Sequence, residues 1–195
     1  HFIYQSEDKE DIDFVVPKNF ISPHSSNKCL RYLMNNNSFN AFNTNKADVR
    51  FDPALDRVVF MVHDDEEKII GGVGRSLNYN VLPKWYVYGS KKYPFICGQG
   101  DTAVIVEDCA SACAVSDNFA GLALMGTSLP QEYITVIKKR FKNAIIALDR
   151  DATTKAFDIA REVGMVAHTR VVMLEDDLKY FKPDEIKEML CRNDN

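Results

Sequence analysis

From residue 103 onward, short runs of Val, Ile, Leu and Ala alternate with segments of helical periodicity, and few architectures accept that rhythm. Residues 103–107 (AVIVE) form a continuous apolar run closing on an acid, as expected of a strand buried on both faces. A small-residue segment follows at 109–117 (CASACAVSD), then a second apolar run at 121–126 (GLALMG). Ser128 and Gln131, on either side of Pro130, make a capping-box pattern that opens a helix with Ile134, Ile137 and Phe141 on one face. Residues 144–149 (AIIALD) read as another buried strand. The next helix places Ala156, Ile159, Ala160 and Val163 on one stripe and stops at Gly164. A third clear strand covers 171–174, and Pro183 with Asp184 and Glu185 starts a last helix that buries Ile186, Met189 and Leu190. This alternation predicts an α/β domain: a parallel sheet flanked by helices.

The first half has a different rhythm. Residues 58–62 (VVFMV) and 69–73 (IIGGV) flank a polar HDDEEK loop and predict an antiparallel hairpin. Residues 84–88 (KWYVY) add an aromatic strand. A helix is expected near 28–34, and the Asn-rich stretch 35–45 is expected to be a loop. Gly98-Gln-Gly100 punctuates the change, so the expected division is a smaller α+β subdomain over 1–100 and a parallel α/β domain over 101–195.

Length and composition narrow the class further. A chain of 195 residues can bury an ordinary core as one domain or two small ones. No apolar run is long enough to span a bilayer and no signal-peptide pattern opens the chain, so a soluble protein is expected, with no membrane partner. The first residue is His1 rather than Met, which suggests a piece of something longer. The five cysteines form no CxxC, which points away from zinc and toward a reducing, intracellular compartment; Cys109 and Cys113 are expected to be buried thiols. A net charge of −4 argues against nucleic-acid binding by bulk electrostatics. Yet Lys68 to Gly100 carries five bases and no acid. These bases are interleaved with Tyr79, Trp85, Tyr86, Tyr88, Tyr93 and Phe95, a mixture able to hold single-stranded nucleic acid. At least three of the six aromatics are expected in the strand core. The basic run 138–142 (KKRFK) is expected to be a solvated helix end.

Ligands of open α/β sheets bind beyond the carboxyl ends of the strands. The first strand of the second half ends in Glu107-Asp108, the next long one in Asp149-Arg150-Asp151, and the last is followed by Glu175-Asp176-Asp177. Up to seven carboxylates would then share one rim, an arrangement that divalent cations would neutralise. Hard oxygen donors of this kind suit Mg²⁺ or Mn²⁺. Lys155, one helical turn after Asp151, could reach phosphate or pair with Asp151 or Asp158.

The order of these signals resembles the TOPRIM domain shared by primases, topoisomerases and some nucleases. The matching text is 104–112 (VIVEDCASA), 124–129 (LMGTSL), 145–160 (IIALDRDATTKAFDIA) and 172–179 (VMLEDDLK). In the first half, 57–77 (RVVFMVHDDEEKIIGGVGRSL), 83–89 (PKWYVYG) and 93–98 (YPFICG) resemble segments that precede the catalytic domain of bacterial and phage primases. The likeness runs over roughly residues 28–190 and is nearest in style to the phage branch. It implies the RNA polymerase core of a DNA primase, which makes RNA primers on single-stranded DNA from ribonucleoside triphosphates. A zinc-binding module and a replicative helicase would lie outside this fragment, in the cytoplasm of the cell or of a phage host.

The resemblance also implies roles. Glu107 would be a metal ligand or proton acceptor, and Asp149 and Asp151 would bind Mg²⁺ or Mn²⁺, with Asp177 or Asp176 completing the set. Arg75 and Lys84 would bind nucleotide phosphate, with Lys155 and Trp85 also on the nucleotide or template. Gly126 would allow close backbone approach. The chain departs from the family pattern at Asp108, where Gly is more usual, and at Thr153-Thr154, where Ala-Gly is more usual. At the third acidic site Glu-Asp-Asp-Leu-Lys replaces Lys-Asp-Pro. Two rivals remain: a TOPRIM nuclease using the same carboxylates, and a non-catalytic nucleic-acid-binding module. Residues 57–98, for which a nuclease has no evident use, favour the primase.

Overall fold

The structure, a computed structural model, describes residues 13–192 and the short strand Tyr4–Gln5. In chain order its elements are β1 (Tyr4–Gln5), α1 (Asn27–Asn35), α2 (Phe39–Asn43), β2 (Val49–Asp52), β3 (Arg57–His63), β4 (Ile69–Ser76), β5 (Trp85–Gly89) and β6 (Ile96–Cys97). The second half adds β7 (Thr102–Val106), α3 (Cys109–Ala114), β8 (Ala120–Ala123), α4 (Gln131–Arg140), β9 (Asn143–Asp149), α5 (Thr153–Val163), β10 (His168–Leu174) and α6 (Pro183–Cys191).

These strands make two sheets. The first runs β1-β5-β4-β3-β2; β5 to β2 pair antiparallel, and β1 joins β5 in parallel. The β3–β4 turn is held by the Asp64 side chain, which accepts from the backbone N–H groups of Glu66 and Lys68 at 2.9 Å each. The second sheet runs β10-β9-β7-β8-β6, with the first four strands parallel and β6 antiparallel to β8. Although β6 precedes residue 100, it pairs in the second sheet, so the change of sheet lies upstream of Ile96.

The apolar runs of the parallel strands serve two cores because successive side chains point to opposite faces. Val104, Val106, Ile145 and Ala147 face α3, α6 and the first half, in one cluster with Phe60, Val73 and Trp85. Ile105, Ile146 and Leu148 face the other way and are covered by Ile137 of α4 and Ile159 and Val163 of α5. Helix α3 lies unusually close to the sheet: a Cβ added to Gly121 of β8 would stand 2.1 Å from the Ala112 carbonyl oxygen. The small side chains of CASACA permit that approach, and all six are buried.

Several expectations change. The Asn-rich connection contains α2, capped on the Phe39 side by the turn through Ser38. The capping box at Ser128 does not form: Pro130 itself, extended at φ −61° and ψ 149°, is the N-cap of α4, with no side-chain cap bond. Fewer of the interleaved aromatics are core than expected, since only Trp85 and Phe95 of the six are fully buried. The KKRFK run is only partly free, for Lys139 pairs with Asp65 at 3.1 Å and Arg140 donates to the Tyr93 hydroxyl at 3.1 Å.

Candidate active site

Strands β7, β9 and β10 lie side by side, and their carboxyl ends open on a cavity of about 1200 Å³. Four of the seven expected carboxylates line it: Glu107, Asp149, Asp151 and Asp177. Asp149 also builds its own turn, accepting the Asp151 N–H at 2.9 Å through Oδ1, so β9 ends in a 3₁₀ turn that presents Asp151 before α5 begins. The other three face elsewhere. Asp108 is fully buried and caps α3 through the Ser111 N–H, at 2.9 Å. Glu175 pairs with Arg150 at 2.7 Å on the outer surface. Asp176 is exposed, and its Oδ1 accepts the Asp177 N–H at 2.9 Å. The structure therefore brings Asp177, and not Asp176, to the rim.

Burial, and then the charges of Asp108, Glu107 and Asp149, push the Asp177 carboxyl up to about 6, against the pull of Lys179. Burial is the larger cause, and the neighbouring acids add to it. Part of the compensation comes from Lys155, whose ammonium sits 3.2 Å from both oxygens of Glu107. Lys155 thus pairs with neither Asp151 nor Asp158: one helical turn carries it across to the end of β7 instead. Among the described residues no three carboxylate, His or Cys side chains stand close enough to enclose one ion. The donor set is nonetheless all hard oxygen and crowded, which fits a divalent cation such as Mg²⁺ once the side chains converge.

The basic residues divide between two cavities. Lys84 and Lys91 line the first cavity together with the carboxylates. Arg75 does not reach it. Its guanidinium lies between the rings of Tyr32, at 5.8 Å, and Trp85, at 5.6 Å, and borders a second cavity of about 750 Å³ with Lys28, Arg31 and Lys84. Lys84 lines both. Burial, and then Arg75 and Lys179, lower its ammonium from the usual lysine range. Trp85 is fully buried against Phe60 and cannot stack on a nucleotide: the register that aligns it with Arg75 turns its ring into the core. Gly126 lines the first cavity, and within the protein an added Cβ there would find only the Ser128 oxygen, at 3.9 Å.

Sequence reasoning missed two buried cations. Arg57 donates to the carbonyl oxygens of Gly74, Lys84 and Pro83, the last at 2.7 Å, and so shapes the loop that presents Lys84. Lys179 pairs with Asp108 at 2.6 Å behind the carboxylate rim. Strand β3 gave a signal for Arg57, a charged residue opening an otherwise apolar run; the short turn holding Lys179 gave none.

No protein-family model matches the chain. A curated DNA primase of Clostridium acetobutylicum is 32% identical over 133 residues, which cover 58% of this chain and 22% of that protein. The chain thus spans about a fifth of the length of the curated relative it matches. Among solved structures, the zinc-binding and RNA polymerase domains of Aquifex aeolicus primase superpose with a TM-score of 0.61 at 19% identity, covering 88% of this chain and 49% of that one. The primase fragment of the bacteriophage T7 primase-helicase protein gives a TM-score of 0.56 at 16% identity, over 77% and 68% of the two chains. The architecture is that of a primase catalytic core, an antiparallel sheet beside a helix-flanked parallel one.

Proposed function

We propose that this chain, which has the fold of a primase catalytic core, performs metal-dependent, template-directed joining of ribonucleotides on single-stranded DNA. One observation carries the reading: three adjacent parallel strand ends deliver Glu107, Asp149, Asp151 and Asp177 to a single cavity that Lys84, Lys91 and Lys155 also line. The four carboxylates would hold Mg²⁺ or Mn²⁺, which when bound supplies charge neutralisation for a triphosphate and activation of a primer 3′-hydroxyl. Lys84 and Lys91, which line the same cavity as the acids, orient the triphosphate as point charges. Lys155 holds Glu107 in place and is within reach of the same phosphates. Arg75, with Lys28 and Arg31 in the neighbouring cavity, suits the phosphates of the template strand, and Lys84 joins the two sites. The relatives named above include a zinc-binding domain and a primase-helicase, which supports a zinc module and a helicase as working partners. Among the described residues no helix is long and apolar enough to cross a membrane.

The deciding experiment is primer synthesis on single-stranded DNA, with labelled ribonucleotides, Mg²⁺ or Mn²⁺, and a dinucleotide to bypass initiation. Wild type is expected to give short RNA products, and Glu107→Gln to reduce them by about 10²-fold or more. Cleaved DNA in place of RNA would install the nuclease reading. Binding without either chemistry would leave a nucleic-acid-binding module.

Arg75→Ala is expected to weaken single-stranded DNA binding roughly tenfold at low salt and to make the salt dependence shallower by about one counterion. Fluorescence anisotropy over a salt series checks this; unchanged affinity would return Arg75 to a packing role between its two rings.

A further inference from the structure

Two of the chain's departures from the family pattern, Asp108 and the Lys of Glu-Asp-Asp-Leu-Lys, touch each other. Lys179 Nζ lies 2.6 Å from Asp108 Oδ2, and their side chains are 3% and 0% exposed. The same ammonium stands 3.6 Å from Asp177 Oδ2. The backbone ties the two segments as well, since the Lys179 N–H donates to Ser111 Oγ at 3.4 Å; the Lys179 carbonyl accepts from Asn37 Nδ2, between α1 and α2, at 2.8 Å. Each partner of the pair adjoins a member of the carboxylate site. Asp108 follows Glu107 directly, and Lys179 comes two residues after Asp177.

A buried ion pair is a poor device for stability, because the cost of dehydrating both charges offsets most of their attraction. Apolar side chains would fill the space between α3 and the turn at Leu178–Tyr180 equally well. What an apolar pair could not do is hold two loops, distant in sequence, at a set separation while directing one oxygen of Asp177 backward.

We propose that the buried Asp108–Lys179 pair is a positioning clamp for the carboxylate site, setting the separation of Glu107 and Asp177 and hence the affinity for a divalent cation. The inference rests on the metal-binding reading of these carboxylates. Lys179 and Asp108 touch no reacting atom; they act through the two carboxylates beside them, as outer partners do in metal sites.

The test is titration of the full chain with Mn²⁺, following the spin-resonance signal of the free ion, with circular dichroism and urea unfolding in parallel. The main variant is Asp108→Ser/Lys179→Met, which removes both charges, keeps a side-chain cap on α3 and fills the lysine stem. It is expected to keep the wild-type spectrum and to bind Mn²⁺ at least about tenfold more weakly. Wild-type Mn²⁺ affinity in the folded double variant, whatever its urea midpoint, overturns the clamp. If the double variant does not fold, Lys179→Arg keeps the charge and alters only its reach. Weaker Mn²⁺ binding by folded Lys179→Arg then supports the clamp, and wild-type binding overturns it. If wild type itself binds no Mn²⁺, the metal reading of the carboxylates fails first and the clamp falls with it.

Discussion

Asp149→Asn is expected to lower metal-dependent nucleotide incorporation by about 10³-fold while leaving the fold in place. Asp149 ends β9, the middle of the three strands that supply the carboxylates, so its charge faces the cavity from between Glu107 and Asp177. Its structural duty is separable from that charge. Oδ1 accepts the Asp151 N–H at 2.9 Å, and an asparagine oxygen can accept the same bond. The variant's metal-free melting temperature should therefore equal or slightly exceed that of wild type, since one of the charges opposing ionisation of Asp177 is gone. Gel-resolved primer extension beside a thermal melt reads both quantities. Near-wild-type extension by a folded variant would remove Asp149 from the metal site.

Gly121→Ala is expected to be the most destabilising single-methyl change in the second sheet, by about 3 kcal/mol or more. The added carbon would meet backbone rather than a flexible side chain: the Ala112 oxygen at 2.1 Å, its Cα at 2.6 Å and its carbonyl carbon at 2.7 Å. Relief requires α3 to lift from β8, which also disturbs Asp108 at the helix start and thus the end of β7. For a chain of this size the loss corresponds to a fall in melting temperature of about 6–12 °C. Gly126→Ala is the control. Its nearest neighbour would be 3.9 Å away, so it should melt within about 1–2 °C of wild type. Equal melts for the two variants would mean that α3 does not sit where the structure puts it.

What the sequence disclosed, and what it hid, follows from the range of the interactions. The runs at 103–106 and 144–149 announce buried strands because a strand covered on both faces has no polar alternation to lose, whereas 171–174 belongs to the half-buried edge strand β10. The acids after them are legible for the same reason, since strand ends point to the rim by topology alone. Which acids face the cavity is another matter. Asp108 reads like its neighbour Glu107 until the chain brings Lys179 to it from 71 residues away. Arg75 and Trp85 look like a binding pair in sequence, but cross-strand register makes the tryptophan a floor for the arginine and buries its ring. Ser128 has the right chemistry for a cap and loses the position to Pro130, whose constrained backbone already supplies the extended residue before the helix.

The placement of β6 bears on how this protein could be divided or recombined. Two residues, Ile96 and Cys97, close the outer margin of the parallel sheet by pairing with Leu122 and Gly121, yet they belong to the stretch that leads out of the antiparallel sheet. A cut at the Gly98–Gly100 punctuation would therefore separate the parallel sheet from its own selvage, leaving the hydrogen-bonding groups along β8 bare and ready to template aggregation. A transplantable unit built on the parallel sheet has to begin before Tyr93. Truncations joined at residue 100 should therefore aggregate more than those that begin before Tyr93, while both lose the cover that Phe60, Val73 and Trp85 give to Val104 and Val106.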